Sequence, residues 1–135
     1  MLETELVEGT RVIEKTESFV VLVPYAAANP FEMWLLPRCH QASFGRMDDV
    51  ELREFAIILQ GSLQRLKAVL DDPSYNFVVE SWEPADNDFA HWRLRIVPGL
   101  TTPGGFELGS GLAINPNCPA DDAEVLRTES AMAGA

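Results

Sequence analysis

Residues 48–70 read DDVELREFAIILQGSLQRLKAVL, and this stretch decides the fold class of the chain. Asp48 can cap the first turn of a helix, and Glu51, three positions later, completes an acidic capping box. Apolar residues then recur every three or four positions, so that one broad stripe comprises Leu52, Phe55, Ala56, Leu59, Leu63, Leu66 and Leu70. A helix with such a stripe cannot stand alone and is expected to lie on a sheet.

Strands are predicted on both sides of this helix. Apolar and β-branched runs, bounded by turn residues, are typical of strands. The connections between them are short, which favours antiparallel pairing. The sequence therefore predicts an α+β fold with an antiparallel sheet of about five strands, one long helix on one face of the sheet and a short C-terminal helix. The strands are expected at 11–15, 18–23, 31–36, 75–81 and 91–97, with a further short strand at 112–114 and the short helix at 121–129.

The chain is organised as one domain. Its 135 residues are 47% hydrophobic and 23% charged, which are ordinary values for a single globular unit. Residues 1–10 are predicted to form an acidic N-terminal segment, 11–130 the domain and 131–135 a frayed tail. A polar loop is expected at 83–88.

The charge of the chain excludes several classes of partner. Ten Lys and Arg residues stand against 21 Asp and Glu residues, which gives a net charge of −11. Such a surface repels the phosphates of nucleic acids and anionic lipids. No apolar run is long enough to span a membrane, and the start lacks the pattern of a signal peptide. Cys39 and Cys118 are isolated, so we expect free thiols, a cytoplasmic protein and no metal site.

Residues 91–97 read HWRLRIV and alternate between two kinds of side chain. In a strand, the alternation buries Trp92, Leu94 and Ile96 on one face. It places His91, Arg93 and Arg95 together on the other face, with the two guanidinium groups about 7 Å apart. Two interpretations stay open: the arginines pair with Glu32 and Glu80 on other strands, or they form a subsite for phosphate or carboxylate.

The glycine-rich stretch 103–111 is the second candidate for chemistry. Gly105, Gly109 and Gly111 permit positive φ angles and close approach of backbone N–H groups to a ligand. No Gly-Lys-Ser/Thr follows, so the stretch is not a P-loop, and it lacks the spacing of a dinucleotide fingerprint. A plain tight loop and a ligand cradle both remain compatible with it.

Several segments, taken in order, resemble the C-terminal half of galactose-1-phosphate uridylyltransferase, in the histidine-triad superfamily of nucleotidyl transferases and hydrolases. The resemblance extends from Arg11 to Arg127. The segments that carry it are 19–24, 29–40, 73–77, His91-Trp92 with Pro98, 105–111, and 114–116 with Leu126-Arg127.

The resemblance implies a histidine-triad-like (HIT-like) fold, but it also exposes departures from the family pattern. The family's nucleophilic histidine lies in a His-Pro-His-Gly-Gln segment of the N-terminal half, and that segment does not occur in these 135 residues. Arg93 stands where the family often has histidine, and Arg95 where it often has glutamate or histidine. Arginine neither attacks phosphorus nor binds a metal. We therefore expect no catalytic residue, no metal and no cofactor in this chain, and whether it is an enzyme stays open.

The resemblance also implies a sugar-nucleotide or sugar-phosphate ligand. We expect a stand-alone, degenerate domain that binds such a ligand, as a homodimer or with a partner half-domain. The alternatives are a nucleotidyltransferase that is active only with a partner half, and a purely structural interaction protein. The candidate ligand-binding residues are Asn76, His91, Arg93, Arg95, Gly105, Phe106, Glu107, Gly109, Ser110 and Gly111.

Overall fold

The structure, a computed structural model, describes residues 2–82 and 90–133, with side chains described as far as Glu129. The polar loop predicted at 83–88 lies outside the described residues. A 3-10 turn at Phe44–Arg46 precedes the long helix. The elements are, in chain order, α1 (Leu2–Glu8), β1 (Val12–Lys15), β2 (Phe19–Leu22), β3 (Met33–Pro37), α2 (Asp49–Leu70), β4 (Tyr75–Glu80), β5 (Arg93–Pro98), α3 (Gly105–Ser110) and α4 (Pro119–Ala133).

The five strands form one antiparallel sheet, which confirms the predicted α+β class. Their spatial order is β1-β2-β3-β5-β4, so β1 and β4 are the two edges. The register places Arg95 between Trp34 on β3 and Val78 on β4. Glu80 lies opposite Arg93 in the same ladder.

Helix α2 begins as predicted. The Asp48 carboxylate accepts a hydrogen bond from the backbone N–H of Glu51 at 2.8 Å, and the Glu51 carboxylate accepts one from the N–H of Asp48 at 3.0 Å. Its buried face is centred on Phe55, Ile58 and Leu66. Leu52, predicted to belong to this face, is 49% exposed. The face is rotated because α2 packs on α4 as well as on the sheet.

The core lies between the sheet and helices α2 and α4. Trp92 is at its centre and packs edge-on against Phe44 and Phe55, with ring centroids 5.0 and 5.7 Å away. Leu94 and Ile96 are buried on the same face of β5, as predicted. The predicted alternation of buried and outward-facing side chains along β5 is therefore confirmed.

The outer face of the sheet, opposite α2 and α4, is partly covered by α1. Leu2 and Leu6 of α1 pack against Leu22 and Leu36. Residues 2–8, for which the sequence predicted only an acidic segment, form this helix. Leu2 and Leu6 are four positions apart, which gives this short segment one apolar side as a helix.

The C-terminal part also differs from expectation. The glycine-rich stretch contains the short helix α3 rather than only a loop, because the Glu107 carboxylate caps the N–H of Gly104 at 2.9 Å and Gly111 ends the helix at φ 72°. Residues 112–114 do not form a strand. Helix α4 is longer than the predicted 121–129 and includes residues 131–133 of the expected frayed tail. Buried Ala123 and Leu126 hold the helix on the core.

Two further observations concern the chain as a whole. Cys39 and Cys118 are free and exposed, as predicted. Of the helices in residues 2–82 and 90–133, none combines the length and apolar character needed to cross a bilayer.

Candidate ligand-binding site

Four charged side chains form a cluster on the outer face of the sheet, where β3, β5 and β4 meet. We call Glu32, Glu80, Arg93 and Arg95 the charged cluster. Arg95 donates to the Glu32 carboxylate from Nε at 3.2 Å and from Nη2 at 3.1 Å, and to Glu80 from Nη1 at 3.1 Å. Arg93 donates from Nε to the other oxygen of Glu80. Of the two interpretations of the arginines, pairing with carboxylates is therefore observed: Arg93 pairs with Glu80, and Arg95 pairs with both Glu32 and Glu80.

Glu32 is the buried anchor of this cluster. Its side chain is 2% exposed. Besides Arg95, it accepts hydrogen bonds from Trp34 Nε1 at 2.9 Å and Asn29 Nδ2 at 3.3 Å. The residue before it, Phe31, has a left-handed φ of 58°. Such a conformation is strained for a bulky side chain and needs support from its surroundings.

The support comes from α4. The backbone N–H of Phe31 donates to the buried Asp122 carboxylate at 2.9 Å. The other oxygen of Asp122 accepts a hydrogen bond from Asn117 at 2.8 Å. Helix α4, on one face of the sheet, therefore fixes the backbone at Phe31. The Glu32 side chain, which follows Phe31, lies on the opposite face.

The two guanidinium groups favour the ionised form of Glu80. Burial raises the pKa of the Glu80 carboxyl, but hydrogen bonds and positive charge from Arg93 and Arg95 outweigh this effect and hold the pKa below its ordinary value. For Arg95, burial lowers the pKa, while Glu80 and Glu32 raise it, and the net shift is upward. With two cations and two anions, the cluster carries no net formal charge.

An apolar pocket of about 140 Å³ lies beside the cluster. Trp34 belongs to both, because one side of its ring lines the pocket while the Arg93 guanidinium lies 3.9 Å from the ring centroid. Such a contact is a cation–π interaction. The other lining residues come from α1, β2 with the loop that follows it, and β3: Leu2, Glu5, Leu22, Pro24, Tyr25, Ala26 and Leu36.

The two histidines of the chain meet at the end of β3. The rings of His40 and His91 are 5.8 Å apart and nearly perpendicular. His91 Nε2 lies 2.6 Å from the carbonyl oxygen of Pro37, so this nitrogen carries a proton and donates it. Burial lowers the pKa of His91, the bond to Pro37 opposes that effect, and His40 lowers the pKa further, with a net shift downward. His91 is therefore neutral at pH 7.

Sequence comparison shows what this chain is similar to. No protein-family model matches it. An ADP-glucose phosphorylase from Arabidopsis thaliana is 38% identical over 123 residues, which are 88% of this chain and 35% of that protein. A galactose-1-phosphate uridylyltransferase from Haemophilus influenzae is 29% identical over 96 residues, which are 69% of this chain and 27% of that protein. The chain thus spans about a third of the length of these relatives.

Solved structures agree with the sequences. The crystal structure of the Arabidopsis thaliana ADP-glucose phosphorylase with bound ADP-glucose superposes with a TM-score of 0.83 at 36% identity, over 90% of this chain and 41% of that one. A zinc-bound histidine-triad protein from Mycobacterium smegmatis shares the fold, with a TM-score of 0.68 at 16% identity over 98% of this chain and 94% of that one. This chain is a HIT-like domain related to galactose-1-phosphate uridylyltransferase.

The HIT-like domain brings together only some of the ten predicted site residues. Arg93 and Arg95 lie in the charged cluster, and Asn76 lies on the same outer face of β4, opposite Val97. His91 precedes β5 and contacts His40. The remaining six residues all lie on α3 or at its end: Gly105, Phe106, Glu107, Gly109, Ser110 and Gly111.

The residues of the HIT-like domain do not fit a metal at the charged cluster. The resemblance implies a structural metal in some members of the family, whereas here two of the four side chains are guanidinium groups, which cannot act as ligands. Throughout residues 2–82 and 90–133, no three His, Cys, Asp or Glu side chains are grouped so that they could hold a metal ion. The absence of a bound metal stays a prediction.

Sequence reasoning missed the apolar pocket of the HIT-like domain. Trp34 and Leu36 of β3 line this pocket. Helix α1, which covers part of the outer face, was not predicted, because residues 2–8 were interpreted from their acidic charge. The spacing of Leu2 and Leu6 is compatible with one turn of a helix, but a pattern of two residues is too short to predict one.

Proposed function

We propose that this HIT-like domain binds a sugar nucleotide on the outer face of its sheet, with the base in the apolar pocket. The observation that carries the proposal is the shared position of Trp34, whose ring lines an apolar pocket and lies under the Arg93 guanidinium. A pocket of about 150 Å³ is large enough for one benzene ring. A related protein of known structure has ADP-glucose bound, which supports this class of ligand.

The phosphates of the ligand would contact Arg93. Its Nε donates to Glu80, and the flat side of the guanidinium covers Trp34. Glu80 is 25% exposed on an edge strand, so an incoming phosphate can displace it, whereas the buried Glu32 stays bound to Arg95. The six residues of the α3 region and Asn76 remain predicted contacts for the rest of the ligand.

We further propose that binding occurs without covalent chemistry. A guanidinium stays protonated at any physiological pH, so neither Arg93 nor Arg95 can attack phosphorus. The Nε2 atom of His91 donates a hydrogen bond to the carbonyl oxygen of Pro37, so this nitrogen has no free lone pair with which to attack phosphorus. Incubation with UDP-glucose or ADP-glucose is expected to add no nucleotidyl group to the chain, as read by intact-mass measurement.

The binding proposal is tested by calorimetry with ADP-glucose and UDP-glucose. Replacing Arg93 by Gln removes the charge that meets the phosphates, so affinity should fall by about 10- to 100-fold, the value of a charge-assisted hydrogen bond. Replacing Glu80 by Gln removes the competing carboxylate and should raise affinity several-fold, by roughly the strength of a partly exposed ion pair.

Arg53 provides the matched control, because it is an exposed arginine on α2, on the other side of the sheet. Arg53→Gln changes the net charge by the same amount as Arg93→Gln and should leave affinity unchanged. Equal losses of affinity for the two variants would show that binding depends only on the net charge of the protein. No saturable binding by the folded wild type would contradict the proposal outright.

The charged cluster itself favours a second candidate function. Both arginines are already paired with carboxylates, so the outer face is closed by internal contacts. This arrangement supports a structural interaction protein without a ligand. The same calorimetric series separates the two candidates, since a structural protein gives no heat with any sugar nucleotide and its Glu80→Gln variant gains none.

We also propose that two copies of the chain pair through β4. This edge strand is exposed along most of its length, and Tyr75, Phe77 and Val79 extend an apolar row on the α2 side of the sheet. Exposed apolar edge strands are templates for pairing, and two-fold closure is the commonest form of self-association. Antiparallel pairing about Phe77 keeps every side chain on its own face and sets Tyr75 opposite Val79 of the second copy.

Light scattering at micromolar concentration should give about twice the 15.0 kDa chain mass. Phe77→Glu places a charge at the centre of the proposed contact and should give the mass of one chain. Val7→Glu on α1, at a residue that is 87% exposed, should leave the dimer intact. A wild type that is monomeric under these conditions would refute self-pairing and favour a partner chain as the second half.

A further inference from the structure

The apolar pocket on the outer face of the sheet contains one charged side chain. Of its eight described lining residues, seven are uncharged, and the eighth is Glu5 of α1. Glu5 is 6% exposed and lines the pocket together with Leu2, which lies three positions earlier on the same side of the helix. Burial of a carboxylate costs free energy unless the charge is paired. Glu5 therefore needs a partner within the fold.

Arg11 is this partner and holds the Glu5 carboxylate in place. Its Nε donates to the two carboxylate oxygens at 3.2 and 3.0 Å, and its Nη2 donates to Oε1 at 3.0 Å. Because arginine only donates, both oxygens act as acceptors, as in the ionised carboxylate. The Arg11 guanidinium also lies 5.2 Å from the ring centroid of Tyr25, another lining residue. The orientation of the Glu5 carboxylate is therefore fixed before any ligand enters the pocket.

The pairing with Arg11 does not by itself explain why Glu5 is buried. Glu8, three positions later on α1, contacts the same Arg11 Nη2 at 3.4 Å, and its side chain is 53% exposed. An exposed glutamate can thus bind Arg11 without the cost of burial. What Glu5 adds to the pocket is a charged hydrogen-bond acceptor. A carboxylate has about four lone-pair sites, and the bonds from Arg11 leave one of them for a ligand.

We infer that Glu5 selects the base of the ligand, favouring a base with an exocyclic amino group over uracil. The inference rests on the proposed binding of a sugar nucleotide with its base in this pocket. An ionised carboxylate only accepts hydrogen bonds, and the amino groups of adenine, cytosine and guanine donate them. Where cytosine carries its amino group, uracil carries a carbonyl oxygen. This oxygen is repelled by Glu5 and leaves the carboxylate without a donor.

CDP-glucose and UDP-glucose are the matched ligands for the test, because they differ only in the pyrimidine ring, where an amino group replaces a carbonyl oxygen. In calorimetry, the wild type should bind CDP-glucose about 10- to 100-fold more tightly, the value of a hydrogen bond to a charged group. Glu5→Gln introduces an amide that both donates and accepts, so the preference should fall to about twofold or less. Glu8→Gln is the control, because it removes the same charge beside the same arginine but lies outside the pocket lining, and it should keep the full preference.

A measurement on the wild type alone keeps the test independent of whether Glu5→Gln folds. ADP-glucose is compared with its analogue that has purine in place of adenine and so lacks the amino group, and affinity should fall by about tenfold. Equal affinities within both ligand pairs, or a preference that persists in a folded Glu5→Gln variant, would overturn selection by Glu5 and leave the binding site standing. No binding of any of these ligands by the wild type would overturn both proposals.

Discussion

Replacement of Glu32 by Ala should lower the free energy of unfolding by about 3 kcal/mol. Removing one partner of a buried ion pair typically costs about 3–5 kcal/mol, because the other charge stays behind without its counterion. The lower end of that range applies here, since Arg95 is 30% exposed and keeps its bond to Glu80. Trp34 and Asn29 also lose their acceptor. Urea denaturation followed by circular dichroism measures the change at one fixed protein concentration.

Glu80 is the matched control for Glu32, because both carboxylates bind Arg95. The two differ in burial, since the Glu80 side chain is 25% exposed and the Glu32 side chain 2%. Glu80→Ala should cost about 1 kcal/mol or less, as partly exposed ion pairs do. Equal costs for the two variants would mean that burial does not set the strength of this cluster.

Replacement of Trp92 by Ala should be more damaging still, at about 3–5 kcal/mol. The Trp92 side chain is fully buried and contacts three phenylalanine rings, those of Phe19, Phe44 and Phe55. Its indole N–H also donates to the side-chain oxygen of Gln41 at 2.7 Å, which would lose its partner. The variant is expected to show a lower urea midpoint and weaker near-ultraviolet circular dichroism, since the aromatic cluster loses its centre.

Trp82 offers a control with the same side chain. It is 38% exposed, so Trp82→Ala removes less buried surface than Trp92→Ala and should cost less. A second variant, Trp92→Phe, keeps an aromatic ring and should fall between the wild type and Trp92→Ala. If Trp92→Ala unfolded no more easily than Trp82→Ala, the aromatic cluster would not be the centre of the core.

The sequence predicted the parts of the fold that depend on local pattern. The capping box at Asp48 and Glu51 and the alternation of β5 are set by neighbouring residues, and both are confirmed. The ends of the chain were predicted less well. Leu2 and Leu6 give α1 an apolar side only one turn long, and the helix is held by the sheet surface on which it packs. A pattern of two residues is too short to distinguish such a helix from an acidic tail.

The candidate site also has parts that follow from local sequence pattern and parts that depend on contacts between distant residues. Alternation along β5 placed Arg93 and Arg95 on one face, so their pairing with Glu32 and Glu80 could be anticipated as one of two interpretations. The strained backbone at Phe31 could not, because it depends on Asp122, which is 91 positions away in the chain. The apolar pocket was equally hidden, since it exists only where α1, the loop after β2 and β3 come together.

The neutrality of the charged cluster has a consequence for the response of the protein to ionic strength. Mobile ions screen charges in solvent over about 8 Å at physiological salt and act far less on buried pairs. Glu32 is buried, so these ions cannot reach its contacts. The excess acidic side chains lie elsewhere on the surface, where the ions do reach them. Added salt therefore relieves the mutual repulsion of the acidic surface without weakening the buried contact between Glu32 and Arg95, and the folded chain gains stability as ionic strength rises.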